Sequence, residues 1–353
     1  MPAIIVNSFC SEHTRECVIY KITLLMHNKK RTIMQDTLDF SMNVTVPPET
    51  FDRMSNIYNN SVVRYWQFLF HDLSDPRTRD WFLISSPVPG LSILIGYLYF
   101  VLSWGPRNMA HRKPYQLKNI LVVYNFLQIL ISTWLFMEGM DAILFHNYSL
   151  TCEGVDFSYN PYPLRVARDI YIYFLAKLTE LLDTVFFVLR KKEKQITFLH
   201  MYHHTVMPMI SWGATKYYPG GHGVFVGIMN SFVHIIMYTY YLLAALLPHH
   251  QHKRYLWWKK YITNLQMIQF CMAFLHSCLL LFYDCNYPKW SVVLVLPNAT
   301  FFYFLFSDFY DNAYTPKKEN EGVTPSIQKS TKANGVVEKV SSHEIPNGKG
   351  KSD

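Results

Sequence analysis

Seven stretches of the chain are apolar over lengths close to the about 20 residues that a helix needs to cross a bilayer. They lie near residues 88–104, 119–139, 169–189, 196–214, 222–247, 261–283 and 290–310. The loops between them are short, except for the segment around residues 140–168. This pattern predicts an all-α polytopic membrane protein with seven transmembrane helices.

The two ends of the chain differ from its apolar middle. Residues 1–60 form an N-terminal extension of mixed character, and residues 315–353 are polar, with few apolar side chains. The tail composition predicts disorder. Apolar residues recur with helical spacing across the end of the extension, which fits a helix on the membrane surface and an ordinary packed helix equally well; they are Phe51, Met54, Tyr58, Val62, Tyr65 and Leu69.

Composition agrees with the membrane assignment. Half of the 353 residues are hydrophobic, and only 16% are charged, below the roughly 25% of an average soluble domain. The net charge of +8 is explained by basic loops beside membrane helices, so no nucleic acid partner is expected.

The basic residues also predict an orientation. The loops 105–118, 190–195 and 248–260 each carry four Lys or Arg, twelve in all, whereas the three alternate loops carry four in all. By the positive-inside rule the first group faces the cytosol. Seven spans then place the N-terminus in the lumen and the C-terminal tail in the cytosol.

Two further features depend on this orientation. Cys152 and Cys285 fall in different lumenal loops, where an oxidising compartment would permit a disulfide. On the cytosolic tail, Lys349 and Lys351 form a K-x-K-x-x pattern that is typical of retrieval to the endoplasmic reticulum.

Polar side chains occur at overlapping depths in four of the predicted spans, where ionisable groups are unfavourable and by default indicate function. They are Lys177, Glu180, Asp183 and Thr184 in the third span, His200, His203 and His204 in the fourth, Asn230 and His234 in the fifth, and Gln266, Gln269 and His276 in the sixth. One polar cavity open toward the cytosol explains this overlap better than four unrelated contacts. Simpler roles stay open for Lys177 and Glu180 as an i, i+3 pair, and for Gln266 and Gln269 as interhelical contacts.

The histidines allow two chemistries. His200, His203 and His204 follow i, i+3, i+4 spacing, which places three imidazoles on one helix face. An HxxHH motif occurs in histidine-box di-iron desaturases and hydroxylases, but this chain has no second HxxHH and no separate HxxxH box. The other chemistry is metal-free acyl transfer, with an imidazole as nucleophile or base and basic residues at the cavity mouth holding a phosphorylated carrier such as coenzyme A. Arg190, Lys191 and Lys192 occupy that predicted mouth.

Four ordered motifs resemble a known family. They are KLTELLDT (177–184), HMYHH (200–204), NSFVHIIMYTYY (230–241) and TNLQMIQF (263–270). In this order and spacing they resemble the animal-type elongases of very-long-chain fatty acids, over about residues 61–314. The first 60 residues and the tail fall outside the likeness.

The resemblance implies a membrane enzyme of the endoplasmic reticulum, with six of the seven helices forming a barrel around an acyl-CoA tunnel. Its implied activity is that of a very-long-chain 3-oxoacyl-CoA synthase, an acyltransferase that joins long-chain acyl-CoA to malonyl-CoA without metal or redox cofactor. It also implies association with the ketoacyl-CoA reductase, hydroxyacyl-CoA dehydratase and enoyl-CoA reductase of the same cycle, and leaves a homodimer open.

The resemblance also implies residue roles. His203, the middle histidine of HxxHH, is the expected nucleophile, and His234 lies beside the reacting carbonyl. His200 and His204 are expected to orient or polarise the reacting groups. Contacts to the CoA substrate are expected from Lys177, Arg190, Lys192 and Asn230, with supporting polar roles for Glu180, Asp183, Gln266 and Gln269.

Overall fold

The computed structural model describes residues 61–314, and within that range every regular element is a helix. The α-helices are α1 (Ser61–Gln67), α2 (Pro87–Tyr99), α3 (Gly105–Met109), α4 (Lys118–Phe145), α5 (Pro161–Thr179), α6 (Leu181–Leu189), α7 (Phe198–Tyr217), α8 (Val224–Leu246), α9 (His252–Tyr255), α10 (Lys259–Phe282) and α11 (Ser291–Tyr314). A π-helical turn, Phe68–Asp72, extends α1, and a second, Phe100–Trp104, joins α2 to α3.

Five of the helical segments are long and apolar enough to cross a membrane: Pro87–Met109, Lys118–Phe145, Gly221–Leu246, Lys259–Phe282 and Ser291–Tyr314. Their outward side chains are large and apolar along much of each helix, as lipid contact requires. The protein is therefore a multi-pass membrane protein.

The predicted third and fourth spans, 169–189 and 196–214, are helical but are not among these five. Charged and imidazole side chains on α5 and α7 make both too polar to qualify by composition. The helix that contains the start of the predicted third span also begins earlier than predicted. It begins at Pro161, because Pro is favoured in the first turn of a helix.

The same segment is divided between α5 and α6 at Glu180. The Thr179 hydroxyl donates to the Ala176 carbonyl oxygen over 2.7 Å, an alternative to the regular helical hydrogen bond. The Gln128 amide of α4 in turn donates to Thr179 Oγ1 over 2.9 Å. This interruption lies beside the buried charged residues of the site.

Six helices contact one another in a closed order. α4 packs on α8, α8 on α10, α10 on α11, α11 on α7, α7 on α5, and α5 on α4. The α4–α8 contact is close at Gly139, where a Cβ would collide with the Ile228 side chain. The buried polar side chains of the chain's middle project between these six helices.

A disulfide joins Cys152, in the loop after α4, to Cys285, in the loop after α10. We call the helix ends on this side the disulfide end. The segment before α2 packs at the same end, where Asp75 and Arg77 form a buried ion pair, with Arg77 Nη2 2.7 Å from Asp75 Oδ2. Arg77 Nη1 also donates to the carbonyl oxygens of Asp156 and Ser158, over 2.6 and 3.2 Å.

Several predicted features lie outside the described residues: the extension 1–60, the tail 315–353, and with it Lys349 and Lys351. Of the apolar positions with helical spacing, Val62, Tyr65 and Leu69 lie on or just after α1, and their side chains are exposed.

Candidate functional site

Three ionisable side chains from two helices meet at the break between α5 and α6. Lys177 Nζ donates to Glu180 Oε1 over 2.7 Å, and His234 Nδ1 of α8 lies 3.2 Å from the same oxygen. All three residues are buried. We call Lys177, Glu180 and His234 the charged cluster. Because a carboxylate only accepts hydrogen bonds, the contact favours the proton on His234 Nδ1 and leaves Nε2 with its lone pair.

A tyrosine connects the charged cluster to Asn230. Tyr173 lies one turn before Lys177 and donates its hydroxyl to Asn230 Oδ1 over 2.9 Å. The Lys177 ammonium lies 4.8 Å from the centre of the Tyr173 ring, a cation–π contact. The motif comparison gave no role to Tyr173; its position four residues before Lys177, on the same helix face, is the signal that could have found it.

The HxxHH histidines lie on one face of α7, as their spacing predicts. The ring centres of His200 and His204 are 4.2 Å apart, and those of His203 and His204 are 5.3 Å apart. Thr197 is the N-cap that precedes α7, and its hydroxyl accepts from the His200 N–H, which fixes where the motif starts on the helix. His203 packs edge-on against Phe302 of α11.

A hydrogen-bonded chain links His200 to α2. His200 Nε2 is 2.8 Å from Thr184 Oγ1, which is 2.9 Å from the Tyr97 hydroxyl. Thr184 is fully buried. Tyr97 was not predicted as a site residue, because it lies in an apolar stretch and belongs to none of the four motifs.

The remaining predicted polar residues are spread around these groups. Asp183 Oδ2 accepts from the Tyr238 hydroxyl over 2.9 Å, Gln266 Nε2 lies 3.6 Å from Met237 Sδ, and Gln269 is buried on α10. His276 stacks on His222, with ring centres 3.8 Å apart, toward the disulfide end and apart from the HxxHH face.

The basic residues lie in the loop that follows α6. Arg190 is half-buried and Lys192 is exposed. The nine residues of α6 separate them from Glu180, which corresponds to roughly 13 Å along a helix. They therefore lie apart from the charged cluster. Within residues 61–314, no three His, Cys, Asp or Glu side chains converge as metal ligands would.

The fold and site together define a class: a multi-pass helical membrane protein with imidazoles and a carboxylate–ammonium pair buried between its helices. Residues 82–322 match the ELO family, described as the GNS1/SUR4 family, and the chain belongs to that family.

Its relatives share sequence over most of their lengths. A very long chain fatty acid elongase of Aedes aegypti is 45% identical over 272 residues, covering 76% of this chain and 75% of the relative. Very long chain fatty acid elongase 7 of Drosophila melanogaster is 45% identical over 273 residues, covering 77% and 82%. Human very long chain fatty acid elongase 4 is 41% identical over 292 residues, covering 82% and 91%.

Proposed function

We propose that this protein is the condensing enzyme of fatty acid elongation, a very-long-chain 3-oxoacyl-CoA synthase. It joins a long-chain acyl-CoA to malonyl-CoA and releases a 3-ketoacyl-CoA two carbons longer, CO2 and CoA. The observation that carries the proposal is the cluster of three imidazoles on one face of α7, in a member of the ELO family in which Glu180 orients the buried His234. Family membership also disfavours the di-iron desaturase or hydroxylase alternative.

The proposed reaction has two steps. In the first, an imidazole nitrogen of His203 attacks the thioester carbonyl, the C–S bond breaks, and CoA leaves as a thiolate that takes up a proton. In the second, malonyl-CoA loses CO2, and the electron pair of the broken C–C bond attacks the acyl carbon. The N–C bond then breaks and the imidazole is regenerated. Decarboxylation supplies the nucleophilic electron pair, so the proposed reaction uses no metal or redox cofactor.

The neighbouring residues have distinct proposed roles. His234, oriented by Glu180, donates or accepts a proton beside the reacting carbonyl. His200, fixed by Thr184, and His204 orient His203. Asn230 and Lys177 bind the acyl-CoA near its thioester, while Arg190 and Lys192 bind its phosphates. Asp183, Gln266 and Gln269 support these groups from the surrounding helices.

We infer the family's architecture as well. The closed order of contacts among α4, α5, α7, α8, α10 and α11 supports a six-helix barrel around an acyl-CoA tunnel, with α2 as the seventh span. The disulfide end faces the lumen of the endoplasmic reticulum, and both the N-terminus and C-terminus take the sides predicted from the loops. Lys349 and Lys351 act as the retrieval signal. The other elongation-cycle enzymes are the proposed partners, with a homodimer as a further assembly.

The nucleophile assignment is tested with purified protein and labelled acyl-CoA. Acyl-CoA alone should release CoA and leave a labile acyl adduct on His203, which malonyl-CoA then discharges as the 3-keto product. His203→Ala should abolish both steps, whereas His111→Ala, at an exposed loop position, should change neither. Full activity of His203→Ala would rule out the assignment. Stoichiometric iron with oxygen-dependent turnover would rule out the condensing reaction itself.

A further inference from the structure

A cavity of about 310 Å³ lies at the disulfide end, between α4, α5 and the beginning of α8. Its helical walls carry Leu135 and Gly139 of α4, Ile170 and Tyr173 of α5, and Gly227 of α8. The loop that holds Tyr148, Glu153 and Asp156 and the turn at residues 219–221 complete the lining. None of the sequence motifs that predicted the site indicated this cavity.

Two helix faces run without interruption from this cavity to the charged cluster. On α5, Val166, Ile170 and Tyr173 line the cavity, and Lys177 continues the same face one turn later. On α8, Gly227 and Ser231 line the cavity. His234 lies on the same helix face, seven residues after Gly227 and three after Ser231. Seven residues separate Gly227 from His234, or about 10 Å along the helix. The cavity therefore lies one to two turns beyond the reacting groups, in line with them.

The inner wall of the cavity and the charged cluster share one residue. Tyr173 lines the cavity, and it also donates to Asn230 and lies under the Lys177 ammonium. Tyr173 therefore stands between the charged cluster and the cavity.

The far part of the cavity is polar, which is unexpected for a space that receives hydrocarbon. Carboxylates of Glu138, Glu153, Asp156 and Asp169 line it, with the phenols of Tyr148 and Tyr162. Arg165 holds Glu138 over 2.5 Å, but the buried Asp169 Oδ1 has no hydrogen-bond partner among residues 61–314. The Ser158 N–H donates to Asp156 Oδ1 over 2.8 Å, and this bond lowers the pKa of Asp156, which keeps it ionised at neutral pH.

We propose that this cavity receives the ω end of the acyl chain and that its polar lining selects chains whose ω carbon bears a hydroxyl group. The proposal rests on the proposed condensing function. The substrate class is ω-hydroxy long-chain acyl-CoA, with Asp169 as the acceptor for the hydroxyl.

The physical reason is that covering this polar lining costs more free energy with a methyl end than with a hydroxyl end. A methyl end that displaces water from Asp169 leaves its Oδ1 without a hydrogen-bond partner, which is unfavourable. A hydroxyl end donates one hydrogen bond and accepts another, so the lining stays satisfied. Sites that hydrogen-bond a substrate hydroxyl discriminate strongly against analogues that lack it.

Gly227 allows the cavity to be filled without disturbing its walls. A Cβ at Gly227 would meet nothing within 4 Å, and Gly96 of α2, which is exposed and away from the cavity, shares that property. Gly227→Leu should lower kcat/KM for long acyl-CoAs at least tenfold and leave shorter ones unchanged, whereas Gly96→Leu should leave all lengths unchanged. The length at which Gly227→Leu begins to inhibit marks the chains that reach the cavity. Unchanged activity of Gly227→Leu at every length would overturn the proposal.

The hydroxyl preference is tested with pairs of acyl-CoAs that differ only at the ω carbon. For chains that reach the cavity, the ω-hydroxy member should show about tenfold higher kcat/KM, or about 1.4 kcal/mol, and shorter pairs should show no preference. Asp169→Leu should remove the preference. Because the ratio is taken on one sample, loss of folded protein cancels. Equal turnover of both members at all lengths overturns the proposal while leaving the condensing function intact, whereas absence of condensation with any acyl-CoA overturns the function.

Discussion

Residues 61–314 contain two buried ion pairs that are built differently. In the pair at the disulfide end, Arg77 Nε and Nη2 donate to the Asp75 carboxylate, and Arg77 Nη1 donates to two loop carbonyl oxygens. Both side chains are completely buried. In the charged cluster, Lys177 Nζ donates to Glu180, and its other close neighbour is an aromatic face.

Under the proposed function, this difference separates a structural ion pair from a reactive one. Arg77 directs its guanidinium toward fixed acceptors from two segments, so the pair holds the segment before α2 against the loop after α4. Glu180 instead receives a histidine whose second ring nitrogen stays free for chemistry. We therefore expect changes at the first pair to alter stability and changes at the second to alter turnover.

The largest expected effect is on turnover. His234→Asn keeps an N–H donor for Glu180 at the position of Nδ1 but removes the group that transfers a proton, so kcat should fall by roughly 10²- to 10⁴-fold. Its thermal unfolding midpoint should remain near that of the parent protein. Steady-state condensation assays and thermal unfolding in the same detergent measure both. Normal turnover by the His234→Asn protein would show that His234 has a structural role, like the Asp75–Arg77 pair.

The next effect is on stability. Arg77→Met leaves Asp75 buried and unpaired, which should lower the free energy of unfolding by about 3–5 kcal/mol. Activity per folded molecule should be retained. Arg79→Met is the matched control, because Arg79 pairs with the exposed Asp80 over 3.5 Å, and such pairs contribute about 0–1 kcal/mol. Equal destabilisation by both variants would remove the special role of the Asp75–Arg77 pair.

The disulfide should contribute somewhat less. Replacing Cys152 and Cys285 together by Ser should lower the free energy of unfolding by about 2–4 kcal/mol, because the bridge limits the unfolded chain. Cys271→Ser, at an exposed free thiol, is the control and should have no effect. Unfolding curves under non-reducing conditions measure the difference, and parent-like stability of the double variant would contradict it.

The smallest expected effect on turnover concerns the hydrogen bonds that hold His200. Thr184→Val removes the hydroxyl that links Tyr97 to His200, and the lost hydrogen bond of about 0.5–1.5 kcal/mol should lower kcat up to about tenfold. Thr239→Val is the control, because its hydroxyl bonds only the Ile235 carbonyl of its own helix. If the two variants behave alike, the Tyr97–Thr184–His200 chain has no part in turnover.

The lengths of the apolar stretches predicted the presence of the helices better than they predicted where the helices begin and end. All seven apolar stretches are helical, because continuous apolar runs leave the backbone no other way to satisfy its hydrogen bonds in lipid. The division at Glu180 was not predictable, because it depends on the Thr179 side chain and on Gln128 from another helix. Composition also could not qualify α5 and α7 as spans, since the polar residues of the site lie on them.

Within the site, the sequence predicted which residues share a face of one helix, but it did not predict the contacts between helices. The shared face of His200, His203 and His204 follows from i, i+3, i+4 positions. The contact of Glu180 with His234 joins residues 54 positions apart, and the link from His200 to Tyr97 crosses through Thr184. The Asp75–Arg77 pair was missed because a short polar loop carries no periodicity.

The Cys152–Cys285 bridge also has a consequence for how the molecule is made. The two cysteines are separated by 133 positions. At roughly 5–20 residues per second, the ribosome needs about 7 to 27 s to add the second cysteine after the first. During that interval Cys152 has no Cys285 with which to pair. The bridge can close only after α10 has been synthesised, because Cys285 follows that helix, whereas closure does not need α11.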